Sequence, residues 1–234
     1  MKETCKAIII KRISYSDTSV IISCFTKSSG LKSFIYKGGK KKNAATLLPL
    51  RIVEINYYQH NEDALASINS INSTAALSNL YQHPVKTSIL FFMNEFLGQL
   101  LGKIQYAEPH LFEEIEQELI WLNESEEITN YPVFWMIRWI EKLGLKPSTS
   151  SGKFFDIESA RFSDHKPDGV LYHFGDEMET LSFLFRQDRL TILSYPLKKN
   201  DRKKLLNVLM DYCRFHIPEF KTFKSVEILQ TVFE

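Results

Sequence analysis

Over the first seventy residues, apolar and polar positions alternate in short runs broken by turn residues. Residues 5–14 (CKAIIIKRIS) and 18–26 (TSVIISCFT) are rich in Ile, Val and Thr, and Ser14-Tyr15-Ser16-Asp17 lies between them. That pattern predicts two strands joined by a turn. Gly30 predicts a second turn, and 31–37 (LKSFIYK) a third strand. Gly38-Gly39 ends that strand, and Lys40-Lys41-Lys42-Asn43 reads as a polar loop. Residues 52–59 (IVEINYYQ) predict a fourth strand, His60 to Asp63 a turn, and 64–71 (ALASINSI) a fifth strand. Short strands with no long helix among them fit a small barrel such as the five-stranded OB-fold. Periodicity alone leaves another small barrel or a sandwich open.

Near residue 80 the apolar period lengthens. Ile89, Phe92, Met93, Phe96, Leu97, Leu100 and Leu101 follow a three–four spacing after Pro84, which predicts a helix over 85–103. Residues 109–123 set Leu111, Phe112, Ile115, Leu119 and Leu122 against Glu113, Glu114, Glu116 and Glu118, the pattern of an amphipathic helix with Pro109 in its first turn. A third, very aromatic helix is predicted over 131–143, ended by Gly144. Residues 146–176 are turn-rich and read as an irregular β-rich or loop insertion. Further helices are expected at 178–186, from a cap at Asn200 or Asp201 through Tyr212, and in the final FKSVEILQTVF. The class expected is α+β: an N-terminal OB-fold barrel over 1–80, then a mainly helical domain over 81–234 carrying the 146–176 insertion.

Charge is unevenly spread. Residues 1–51 hold eleven Lys and Arg against Glu3 and Asp17, whereas 81–146 hold five basic and ten acidic residues. A basic front on a chain of net charge +1 suggests a polyanionic partner for that part; a solvated lysine-rich surface would give the same pattern. Cys5, Cys24 and Cys213 are an odd, scattered set. They argue against a disulfide framework and for a reducing, cytoplasmic setting. No apolar run reaches the roughly 20 residues of a membrane helix, and no signal peptide is seen, so no membrane role is expected.

Candidate catalytic chemistry is sparse. Gly38-Gly39-Lys40-Lys41 lacks the spacing of a phosphate loop. Asp164, His165, Asp168 and His173 are the one local group resembling metal ligands, and short turns carry such residues commonly. No nucleophile elbow occurs. No enzyme, no cofactor and no metal are expected; a nuclease using Asp164, Asp168 and His173 is the enzyme reading that remains open. The front also interleaves aromatics, Tyr15, Phe25, Phe34 and Tyr36, with its cations; Lys32, Phe34 and Tyr36 share one face of the third strand, and Leu31, Ser33, Ile35 and Lys37 the other. Bases stacked on Phe34 or Tyr36 with lysines on adjacent phosphates would be one way for an OB-fold to grip a single strand. The competing possibility is that Phe34 packs inside the barrel. The candidate DNA-binding set is Lys11, Arg12, Lys27, Lys32, Phe34, Tyr36, Lys37, Lys40, Lys41 and Lys42.

The order of features over 7–43 resembles the opening of the RecO family of bacterial recombination mediators. Those features are Ala7–Ile10, then Tyr15 and Asp17, Phe25-Thr26, Gly30, and Lys37-Gly38 before a basic loop. The ending HIPEFKTFKSVEIL, with Lys224-Ser225 before the last apolar turn, is similar as well. The resemblance implies an ATP-independent protein that binds single- and double-stranded DNA and anneals complementary strands. It also implies partners: RecR, the acidic Phe-ending tail of the single-strand-binding protein SSB, and indirectly RecA. Many relatives carry a four-cysteine zinc module after the third helix. Residues 146–176 of this chain hold no cysteine, so no structural zinc is expected there. For the SSB tail, Phe134, Arg138 and Lys142 share a helix face offering a ring, a guanidinium and an ammonium; Arg138 could equally pair with a glutamate. A protein-binding adaptor that does not touch nucleic acid is the alternative function.

Overall fold

The computed structural model of the chain describes residues 2–40, 44–60, 64–102, 104, 106–148 and 150–232. Strands β1 (Lys2–Ser14), β2 (Val20–Thr26), β3 (Gly30–Tyr36), β4 (Ile52–Tyr58) and β5 (Ala66–Ser73) close into a barrel in the order β1-β2-β3-β5-β4. All neighbours are antiparallel except β3 and β5, which pair in parallel at Phe34–Ala66 and Ile35–Ser67. This is the OB-fold arrangement the sequence predicts, with Lys11–Ser14 of β1 extending beyond β4 and paired only with β2.

Alternation fixes what lies inside. Val20, Ile22 and Cys24 of β2 face inward, and their cross-strand partners on β3 are Tyr36, Phe34 and Lys32. Ala7 and Ile9, Val53 and Ile55, and Ala66, Ile68 and Ile71 complete the interior. A bulge between Ile9 and Lys11 breaks the alternation, so Ile9 and Ile10 are both buried. Ile10 lies on the outside, beside Gly98 of a neighbouring helix. Gly30 opens β3 at φ 66°, where a side chain would run into the carbonyl oxygens of Tyr106 and Ile104.

Three helices follow: α1 (Ser78–Gln82), α2 (Pro84–Leu101) and α3 (Pro109–Glu124). Pro84 and Pro109 stand at the helix starts, where a missing N–H costs nothing. Helix α3 buries Phe112, Ile115, Leu119 and Leu122 as its pattern predicts, and Phe112 meets Phe25 on the outside of β2 with ring centres 6.1 Å apart. Barrel and helices together form one compact unit, Met1–Ser125; Glu126–Glu234 form the second.

The second unit contains α4 (Tyr131–Lys142), β6 (Phe154–Asp156), β7 (Arg161–Ser163), β8 (Tyr172–Phe174), α5 (Asp176–Leu184), α6 (Arg189–Ser194), α7 (Lys199–His216) and α8 (Ser225–Val232). The 146–176 stretch is more regular than its turn residues suggest: its strands form an antiparallel sheet in the order β7-β6-β8. Gly152 is needed beside it, because a side chain there would collide with the backbone of Ser163 and Asp164. Asn130 is buried, and its amide nitrogen lies 2.7 Å from the Tyr195 carbonyl and 3.1 Å from that of Ile192, which holds the end of α6 to the start of α4. Two short helices, α1 and α6, are not foreseen from the sequence. The start of α7 also needs correcting: Lys198 is the cap residue, not Asn200 or Asp201, and Asp201 sits in the first turn, where its charge favours the helix dipole.

Candidate nucleic-acid interface

The outside of β1 and β2 has two halves. One is covered: Ile8, Ile10 and Phe25 point outward and are buried. The other is bare. From Lys11 to Thr18 every residue is exposed, including Ile13 and Tyr15, the latter with 62% of its surface in solvent. The turn after β3 comes to the same end, because the Lys40 backbone N–H donates to the Thr18 carbonyl at 3.2 Å. Register adds Ile35 opposite Ile21, itself opposite Ile13, and Ser33 bonded to Ser23 through their hydroxyls at 2.9 Å. Lys11, Lys37 and Lys40 thus lie about an outward strand surface with Tyr15 at its tip, while Arg12, opposite the inward-facing Ile22, is exposed on the other side of β1. Lys41 and Lys42 lie outside the described residues.

The remaining front residues separate from this group for identifiable reasons. Phe34 is fully buried, and its ring centre is 5.1 Å from that of Tyr57 inside the barrel. Tyr36 belongs to the same interior. Both are corrected from base-stacking candidates to core residues, since the face they share with Lys32 is the one opposite Val20, Ile22 and Cys24. Lys32 folds back over the barrel end, where its ammonium donates to Gln59 Oε1 at 2.8 Å and lies 4.4 Å from the Tyr57 ring centre. The Tyr57 hydroxyl in turn donates to Glu3 at 2.5 Å; burial first, and this carboxylate second, push its pKa upward. Lys27 forms an ion pair with Glu113 of α3 at 2.7 Å, as Lys6 does with Glu116 at 2.5 Å. The hydrogen bond to Lys27 holds the Glu113 carboxyl below its usual range. Lys27 and Lys32 are therefore already engaged by the protein.

Tyr15, one of the front aromatics that the sequence shows among the cations but not among the stacking candidates, is the exposed ring here: it sits in a polar turn between two strands, where no core position is available. The cysteines offer no reactive group. Burial pushes the Cys5 thiol up to about 11 and Cys213 to about 12, and Cys24 further in the same direction.

In the second unit, Phe134 is buried, and the Arg189 guanidinium already lies 4.9 Å from its ring centre. Arg138 and Lys142 are exposed along α4, and the Lys142 ammonium is 6.0 Å from the Trp139 ring. A face built around the Phe134 ring is corrected on this ground, because that ring is not open to a ligand. A better-shaped pocket lies one helix face away. Pro132 and Val133 of α4, Leu206 of α7 and Leu229 of α8 line an apolar cleft together with Lys199, Arg202 and Lys203; the Arg202 guanidinium already donates to the Leu197 carbonyl at 2.7 Å.

Residues 1–77 match the family description "Recombination protein O N terminal", and residues 81–225 match "Recombination protein O C terminal". The chain belongs to the RecO family. Among its relatives, the DNA repair protein RecO of Phocaeicola vulgatus is 28% identical, with 97% of each chain covered. That of Flavobacterium psychrophilum is 29% identical over 97% of this chain and 98% of its own. That of Porphyromonas gingivalis strain ATCC 33277 is 28% identical over 98% of each. Family membership places the chain in recombinational DNA repair, and the barrel is the family's OB-fold domain.

The 146–176 module holds no cysteine. At its centre Phe155 and Phe162 stack with ring centres 4.4 Å apart, and Tyr212 of α7 closes on Phe155 at 5.3 Å. Phe154, Tyr172 and Phe174 lie on the opposite face of the small sheet, and Phe174 is largely exposed. His173 bonds Asp211 at 3.1 Å, and the His216 ring nitrogen lies 2.7 Å from the Ile157 carbonyl oxygen, so the module is fastened to α7 by rings and hydrogen bonds. Among the described residues, no three His, Cys, Asp or Glu side chains converge as metal ligands, and no helix is long and apolar enough to cross a membrane.

Proposed function

We propose that this protein is a DNA-binding recombination mediator. It binds single- and double-stranded DNA on the bare half of the barrel, anneals complementary strands without ATP and, with RecR, helps RecA load onto SSB-coated DNA in the cytoplasm. The observation that carries this reading is the exposed cationic end of the barrel, where Lys11 to Thr18 with Tyr15 stand in solvent and the turn bearing Lys37 and Lys40 is bonded to Thr18. Lysine and arginine neutralise phosphates without reading sequence, while an exposed ring accepts any base. No step in annealing requires a catalytic group; the protein brings two polyanions together and screens their repulsion.

The cleft between α4 and α7 supports the SSB part of the reading. An acidic tail ending in Phe needs an apolar slot with cations at its mouth. Pro132, Val133, Leu206 and Leu229 supply the slot, and Lys199 and Lys203 supply the charges. A labelled peptide ending in Asp-Phe is expected to lose affinity at least tenfold when Lys199 and Lys203 are both changed to Glu, and to bind Arg138→Ala as it binds wild type. The reverse pattern returns the site to α4.

The deciding experiment for the function is annealing of complementary oligonucleotides without ATP, bare and coated with SSB. Acceleration of both is expected. A protein that accelerates neither and shows no salt-sensitive oligonucleotide binding is an adaptor instead.

A further inference from the structure

Arg51 is unlike the other cations of the barrel unit. Its guanidinium carbon lies 3.9 Å from the centre of the Tyr81 ring. Its Nε is buried and has no hydrogen-bond acceptor, and no carboxylate pairs with it among the described residues. The parts around it are nonetheless firmly held. The Tyr81 hydroxyl donates to the Pro49 carbonyl at 3.0 Å, the Arg51 N–H donates to Leu48 at 3.2 Å, and the Arg51 carbonyl accepts from Ile9 at 3.1 Å. The guanidinium is thus preorganised by its backbone and by a ring; its Nε is sealed from solvent, and among the described residues no protein acceptor takes its side-chain N–H groups.

Arg51 lines a shallow cleft open to solvent, together with Thr74, Ser78, Tyr81 and Gln82. Among the described residues no Asp or Glu lines it. Thr74, Ser78 and Gln82 bring hydroxyl and amide side chains to the same cleft. A fork of N–H groups fixed on a ring, ringed by hydroxyls and free of carboxylates, matches an anion with several oxygens in fixed geometry, and phosphate is that anion. The location is separate from the bare half of the barrel. Arg51 precedes β4, which flanks β1 on the side away from β2.

We propose that Arg51, stacked on Tyr81 and assisted by Thr74, Ser78 and Gln82, is a phosphate-binding site, and that its ligand is a backbone phosphate of a polynucleotide strand. The choice of a polynucleotide rests on the DNA-binding reading above; the phosphate chemistry does not. A second backbone contact across β1 from the first is what a protein pairing two strands would use.

The test uses the full-length protein and two ligands, inorganic phosphate and a fifteen-nucleotide dT strand. The nitrogen resonance of the Arg51 side chain, assigned by its loss in Arg51→Lys, is followed during each titration. In parallel, the salt dependence of dT binding is measured for wild type and Arg51→Gln, with melting as the control. The resonance is expected to move with both ligands, and the slope of log affinity against log salt to fall by about 0.7 in Arg51→Gln, one single-strand contact. Movement with phosphate but an unchanged slope overturns the polynucleotide assignment and leaves a site for free phosphate. If wild type binds no dT, the DNA-binding reading fails, and the phosphate titration still decides the site. A resonance that neither ligand moves overturns the proposal and makes Arg51 a latch between the barrel and α1. Should Arg51→Gln melt early, Thr74→Val together with Gln82→Ala takes its place; neither residue carries charge, so the salt slope is expected to stay and the affinity for both ligands to fall at constant salt, and unchanged affinity for both overturns the proposal.

Discussion

The two halves of the barrel's outer surface carry similar charge and differ in whether that charge is available. On the covered half, Lys6 and Lys27 are neutralised by Glu116 and Glu113 of α3. On the bare half, Lys11 stands in solvent at the end of the barrel that carries Lys37 and Lys40, and Arg12 is exposed beside it on the other side of β1. The rings divide in the same way, with Phe34 sealed inside and Tyr15 outside. A tally of basic residues over 1–51 counts all of these alike. What decides a polyanion site is the subset that the fold has not already paired or buried, because an engaged ammonium must give up a partner before it meets a phosphate.

That division can be pressed at several points. The largest effect is expected for Phe34→Ala, which opens a cavity in the barrel and should cost about 3–5 kcal/mol of stability, read by denaturant unfolding. A variant of unchanged stability and weakened DNA binding would put Phe34 back among the stacking residues. Tyr15→Ala should leave the melting temperature alone and lower single-strand affinity by about 1–3 kcal/mol, the value of one base stacked on a ring; oligonucleotide anisotropy checks it. Joint replacement of Glu113 and Glu116 by Gln should make the covered half resemble the bare one. Freeing Lys6 and Lys27 adds up to two phosphate contacts, a salt slope steeper by as much as about 1.4. The smallest effect is that of pH on the Lys27 pair. Lys27 depresses the Glu113 pKa, so the pairing is intact above the ordinary glutamate range and is lost as pH falls through the lowered value. Acidification should therefore narrow the difference in DNA binding between wild type and Glu113→Gln, while a gap that stays constant down to that range would show that the pair does not limit Lys27.

Much of the fold was legible because its elements are strongly periodic. The barrel strands and α2, α3 and α4 lie within a few residues of where apolar spacing puts them. Helices α1 and α6 escaped because five or six residues carry no full apolar repeat; Asp188, which accepts from the Thr191 N–H at 2.8 Å, was the only local sign of the second. The small sheet in 146–176 was hidden because strands of three residues cannot show alternation, and its order comes from the Phe155–Phe162–Tyr212 stack, a contact between distant segments. The candidate site was only half legible. Strand β3 alone does not reveal its inward face, since Lys32 shares that face with Phe34 and Tyr36. The partner strand does: the turn at Gly30 sets Ile22 opposite Phe34, and Val20, Ile22 and Cys24 are the apolar set of β2. The pairing of Lys27 with Glu113 was beyond reach, because it depends on where α3 docks.

The claim that the bare half is the DNA-binding surface is tested most directly by one comparison. Single-stranded oligonucleotide affinity is measured over a range of salt for wild type and for a variant with Lys11, Arg12, Lys37 and Lys40 all changed to Ala. With about 0.7 of slope per phosphate contact, the account predicts a fall of roughly two to three in the salt slope, with melting unchanged. An equal slope and equal affinity in a folded variant would contradict it and move the DNA path elsewhere on the protein.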